Sequence, residues 1–157
     1  MSLKSLTTAL GIAGLLPFIA TLLAALSETF VSVINLLIEP KKIFIFYSAV
    51  ILSFLCGAFW ARLLSRDFSL RIACLLVLTN IFALAAWVSL LIVSEGLVLS
   101  LPLLILCYLI LIYFEYTNVE LVYGNVYPEY LKLRIGLTFS VVIMHLVMLI
   151  ISLSHGA

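Results

Sequence analysis

The sequence predicts an all-α integral membrane protein, a bundle of five transmembrane helices with the N-terminus inside and the C-terminus outside. Three observations lead there. Of the 157 residues, 66% are hydrophobic and 10% charged, with a mean hydropathy of +1.39, whereas soluble domains carry roughly a quarter charged residues. Long apolar runs recur along the chain, and Lys and Arg are shared unequally among the connections between them. Eight Lys/Arg against seven Asp/Glu give a net charge of +1. This leaves no basic field for nucleic acid and no acidic run.

A bilayer core of about 30 Å takes about 20 apolar residues in a helix. Five stretches meet that length, 5–26, 43–64, 72–93, 97–116 and 135–153, within one transmembrane domain over 1–157. They are unbroken runs and lack the alternation of a barrel strand, so helices must satisfy the backbone inside the membrane. The first run follows Lys4 and is too long for the apolar part of a signal peptide, so it reads as a retained helix. Within it, Gly11, Gly14 and Pro17 suit close packing and a kink. After it, Ser27 reads as an N-cap, Phe30, Val33, Ile34, Leu37 and Ile38 recur at helical spacing, and Pro40 stops the pattern. Two readings stay open for 27–39: an interfacial amphipathic helix, or an extension of the first span.

The connections Ser65 to Arg71 and Ser94-Glu95-Gly96 are short and make the flanking spans antiparallel neighbours. Pro128 suits the first turn of the last helix. Alternating sides puts Lys4, Arg62, Arg66, Arg71, Lys132 and Arg134 on one face and Lys41 and Lys42 on the other. The positive-inside rule makes the first face cytoplasmic, with Trp60, Tyr113, Tyr116 and Tyr130 as its aromatic belt.

Four features are candidates for chemistry or recognition. Ala49, Ser53, Gly57 and Ala61 recur every four residues in the second run, joined by Phe54 and Trp60. Such a stripe serves helix packing, here read as an internal face of the bundle in preference to a docking surface. His145 sits near the middle of the last run and needs polar partners, for which Ser53 and Asn80 lie at similar depth. A packing role is expected for His145, with no metal and no cofactor; Met144, Met148 and Cys56 beside it do not make a convincing copper or haem ligand set. Near the basic face, Glu115 and Arg134 are placed to form an interfacial ion pair. The alternative there is a shallow headgroup pocket of Arg62, Tyr130, Lys132 and Arg134 for a lipid or quinone, with Thr138 one turn further in. Asp67 and Arg71 are spaced for a weak local pair. Cys56, Cys74 and Cys107 have no metal-ligand or redox spacing and read as small core residues. No nucleophile elbow, phosphate loop or metalloprotease helix is present.

Two strings, Tyr47-Ser-Ala-Val-Ile-Leu-Ser-Phe-Leu-Cys-Gly-Ala-Phe-Trp60 and Tyr127-Pro-Glu-Tyr-Leu-Lys-Leu-Arg-Ile-Gly-Leu-Thr138, together with Gly11-Ile-Ala-Gly-Leu-Leu-Pro-Phe18, resemble the family known as domain of unknown function 3429. That family includes the mitochondrial transmembrane protein 69. Ser53, Phe54, Gly57, Trp60, Leu133, Arg134, Leu137 and Thr138 match its patterns, while Ser48, Cys56 and Ala61 stand where the pattern has glycine and Glu129 where it has tryptophan. The resemblance implies a membrane location and no chemistry. Its bacterial and mitochondrial membership points by association to an energy-transducing membrane, here the bacterial inner (cytoplasmic) membrane. The leading functional expectation is a non-enzymatic accessory subunit or assembly factor of a larger, respiratory-type membrane complex. Membrane lipids and a membrane-protein partner or second copy would be its contacts. The alternatives are a lipid- or quinone-binding protein and a small membrane enzyme or transporter using His145.

Overall fold

The computed structural model describes residues 3–26, 39–93, 96–123 and 128–154. They form α1 (Leu3–Ala13), α2 (Leu16–Leu26), α3 (Pro40–Leu64), α4 (Leu70–Leu91), α5 (Leu97–Thr117), α6 (Val119–Tyr123) and α7 (Pro128–Ser154), with no strand among the described residues. Five segments are long and apolar enough to cross a membrane: Ser5–Leu26, which is α1 and α2 end to end, then Pro40–Leu64, Leu70–Leu91, Leu97–Thr117 and Tyr130–Ser154. The helix proposed for 27–39 lies outside the described residues except Glu39, whose extended backbone precedes Pro40 at the first turn of α3.

Pro17 breaks the first span. It has no N–H to give the carbonyl of Ala13 and its ring would crowd that carbonyl, so α1 ends at Ala13 and the chain turns through Gly14 and Leu15. The Tyr47 hydroxyl of α3 donates to the Gly14 carbonyl at 2.9 Å, which fastens the break to the bundle. Beyond it, Phe18 is buried with its ring edge-on to Phe44 and Tyr47. Before it, α1 runs along α7 so closely that a Cβ on Gly11 would lie 2.8 Å from Leu137 Cδ1.

α3 is the central helix, packed against α2, α4, α5 and α6, while α7 packs on α5, α2 and α1. The buried face follows a three-then-four spacing, seen in Ile72, Leu75, Thr79, Phe82, Ala86 and Ser89 of α4 and in Leu52, Cys56, Phe59 and Leu63 of α3. A spacing near 3.5 keeps residues over one seam of the helix. The four-residue stripe of α3 begins at the edge of the buried face and turns away from it, unlike Phe44, Ser48, Leu52 and Cys56, which share its spacing but start further in. Each four-residue step turns about 40° around a helix of 3.6 residues per turn, so Ala49 is buried but Ser53, Gly57 and Ala61 swing outward and are exposed. The stripe is therefore not the internal packing face expected from the sequence; no atom outside the helix approaches a Cβ built on Gly57 within 4 Å. Phe54 and Trp60 face outward with it. Cys56 and Cys107 are buried, but Cys74 falls outside the seam and is exposed, contrary to its reading as a core residue.

Candidate functional site

At one end of the bundle, a single carboxylate ties three helices and α6 together. Glu115, in the last turn of α5, is fully buried. Arg134 of α7 grips it side-on, with Nε donating to Oε2 at 3.0 Å and Nη2 to Oε1 at 3.1 Å. Arg62, at the end of α3, donates from Nη2 to Oε1 at 3.3 Å. The Tyr123 hydroxyl of α6 donates to Oε2 at 3.2 Å. The Arg62 guanidinium lies over the Tyr123 ring at 4.9 Å and near the Tyr130 ring at 5.9 Å, a cation–π arrangement that keeps it folded over the site. Burial, with the negative charge of Glu115 behind it, pushes the Tyr123 phenol above its ordinary value and keeps it a neutral donor. Of the residues expected here, Arg62, Glu115, Tyr130 and Arg134 come together. Lys132 does not, because it lies off the face shared by Leu131, Arg134 and Thr138 and is exposed. Arg71 makes no ion pair with Asp67 among the described residues; its Nη2 reaches the Thr117 carbonyl at 3.5 Å instead.

Deeper in the bundle, His145 is fully buried, but not with Ser53 and Asn80. Both of those are exposed, one position off the buried seams of α3 and α4, and the Asn80 amide donates back to the Leu76 carbonyl at 2.8 Å. The partner of His145 is Ser48, whose Oγ lies 2.7 Å from Nε2. Nδ1 lies 2.8 Å from the Val141 carbonyl, which can only accept. In the neutral ring Nδ1 therefore carries the hydrogen, and the Ser48 hydroxyl donates to Nε2. The Tyr108 hydroxyl completes the cluster by donating to the Ser48 carbonyl at 2.9 Å. Phe18, Phe44 and Tyr108 enclose the imidazole with ring centroids 5.8, 4.8 and 5.6 Å away. No group of three His, Cys, Asp or Glu side chains able to hold a metal ion occurs among the described residues.

Between these two clusters a cleft of about 150 Å³ separates the broken first span from α3 and α7. Its walls are apolar, with Leu15, Phe18, Ile51 and Leu55 among them, and Gly11 and Gly14 form part of its floor. Leu10 and Phe54 line it and are 63% and 68% exposed, so it opens sideways. Its polar lining is Arg134, Thr138 and Tyr108; His145 and Ser48 lie behind Phe18, Tyr108 and Val141 and do not reach it. Thr21, Thr79 and Thr117 each return their hydroxyl to a carbonyl of their own helix. Thr138, 4% exposed, has no such bond among the described residues.

With this geometry in hand, a family model described as "Protein of unknown function (DUF3429)" matches residues 3–150. The chain belongs to that family. The match runs from the start of α1 into the last turns of α7, so the ion network, the histidine cluster and the cleft all lie within it. No curated protein and no solved structure matches the chain.

Sequence reasoning missed Ser48, Tyr108 and Tyr123. The signal for the first was available: Ser48 lies four residues from Phe44 and four from Leu52 on the α3 seam, while Ser53 does not. On α7, Arg134, Thr138, Val141, His145 and Met148 follow the same three-then-four spacing and are all buried. That spacing puts the polar residues of the last helix on one inward face.

Proposed function

We propose that the chain is a multi-pass membrane protein that holds a membrane amphiphile, a lipid or a quinone, in the lateral cleft beside α1. One observation carries this reading. A sideways-opening apolar cleft ends at two deeply buried polar side chains, Arg134 and Thr138, that still have hydrogen-bonding capacity. Polar groups at such a depth are costly without partners, and an apolar pocket with a few convergent polar groups is the usual form of a ligand site. The Lys/Arg bias, with Arg62, Arg66, Arg71, Lys132 and Arg134 on one side, supports a cytoplasmic position for this polar end, and the membrane proposed is the bacterial inner membrane. The test is purification in mild detergent with quantitation of bound lipids and quinones. Leu10→Trp, which fills the mouth of the cleft from an exposed position, should remove the bound amphiphile while leaving the fold intact. Equal retention by the variant would contradict the reading.

The outward stripe of α3 favours a second role, that of an accessory subunit or assembly factor docking through Ser53, Gly57 and Ala61. Small residues without an internal neighbour let another helix approach closely. A cysteine at position 57 should then cross-link to a second copy or to a partner subunit in native membranes, and a protein that cross-links to nothing there would remove this role.

A further inference from the structure

The hydrogen bonds at the polar end of the cleft leave a surplus of donors. A carboxylate has about four lone-pair sites. Those of Glu115 are filled by Arg62 Nη2, Tyr123 Oη, and Arg134 Nε and Nη2. Donors remain on both guanidiniums and on Thr138. Arg62 Nε is buried without an acceptor, and neither Arg134 Nη1 nor the Thr138 hydroxyl has one among the described residues. Charge points the same way, since two guanidiniums face one carboxylate and Tyr123 is neutral. The network carries one net positive charge: Arg134, 6% exposed, is paired side-on with Glu115, and Arg62, whose side chain is 26% exposed, adds the second cation. An excess cation at the edge of such a network favours an anion beside it.

We propose that the cleft takes an anionic phospholipid, with its phosphate on Arg134 and Thr138 and one acyl chain lying between α1 and α3. This deepens the amphiphile-holding reading and rests on it. Glu115 holds the guanidinium by Nε and Nη2, which fixes its plane and leaves the Nη1 edge for the phosphate. From Arg134 to Val141 the lining runs seven residues along α7, about 10 Å at the helical rise, from the network toward the level of Tyr108 and Phe18. Those walls suit hydrocarbon and offer nothing to a free phosphate ion. A quinone would supply acceptors but no charge. The cavity of about 150 Å³ is smaller than the roughly 300–1,000 Å³ of pockets that enclose a whole drug-sized ligand. One chain enters while the other stays in the bilayer.

The experiment uses the full-length protein in nanodiscs of equimolar phosphatidylcholine and phosphatidylglycerol with added ubiquinone, read by native mass spectrometry of retained molecules. Phosphatidylglycerol should be retained over phosphatidylcholine by about fivefold, the effect of one basic charge at an anionic surface. Thr138→Val, which keeps the shape and removes the hydroxyl, should lower that preference. Arg62→Gln, which does not line the cleft but cancels the excess charge, should bring it close to unity while a lipid is still retained. Equal retention of both lipids by the wild type, or preferential retention of ubiquinone, overturns the anionic assignment and leaves the cleft reading standing. Retention of no lipid or quinone overturns both.

Discussion

Glu115 joins α3, α5, α6 and α7 through one carboxylate, so its removal affects more than one contact. Glu115→Gln leaves two guanidiniums without a counter-charge, and breaking a buried ion pair this way costs about 3–5 kcal/mol. Arg134→Lys gives up the side-on geometry and should cost about 1.5–3 kcal/mol, the worth of a hydrogen bond to a charged group. In the Glu115→Gln background the same change should cost much less, a coupling that a double-mutant cycle of unfolding in detergent measures directly. Tyr123 adds a pH dependence. Its proton is held more tightly in the folded protein than at the ordinary value of 10.0. Its contribution is therefore fully present below that value and lost as pH rises above it. Tyr123→Phe should flatten the alkaline loss of stability, as read from melting temperatures across the alkaline range. At this scale the sequence placed Glu115 beside Arg134 because both sit at helix ends facing the same connection. It could not place Tyr123, because α6 is a five-residue helix inside what reads as a loop. The partner of His145 went to Ser48 because Ser48 lies on the buried face of α3 with Phe44 and Leu52, a phase that depth alone does not supply.

Among the elements, α3 separates the sequence pattern from the packing most clearly. Its conspicuous four-residue stripe of small side chains turns out of the bundle, and the less regular line of Phe44, Ser48, Leu52, Cys56, Phe59 and Leu63 is buried. Leu52→Ala should therefore cost about 2–5 kcal/mol by opening a cavity. Gly57→Leu, with open space beside it, should leave unfolding midpoints in detergent nearly unchanged. The reverse ranking would return the stripe to the interior. The number of helices long and apolar enough to span was legible because a bilayer fixes both length and polarity. The break in the first span was legible in part, since Pro17 and Gly14 mark it. That the break opens a cleft was not, because the cleft depends on how α1 leans on α7 through Gly11 and Leu137.

For the molecule as a whole, the five spans put the two ends of the described chain on opposite sides. The clustering of Arg62, Arg66, Arg71, Lys132 and Arg134 at the end that holds the ion network is the basis, through the positive-inside rule, for proposing that end as the cytoplasmic one. Reporter fusions after Arg66 and after Ala157 should report the cytoplasm and the outside respectively; matching signals would show a different number of crossings. The central claim is that the cleft beside α1 is a lipid site. An electron-density map of the wild-type protein in nanodiscs containing phosphatidylglycerol tests it most directly. A lipid site predicts a rod of density between α1 and α3 that ends in a phosphate-sized head against Arg134 and Thr138. A map with α1 closed onto α3, Leu10 packed against Phe54 and no density between them would contradict it.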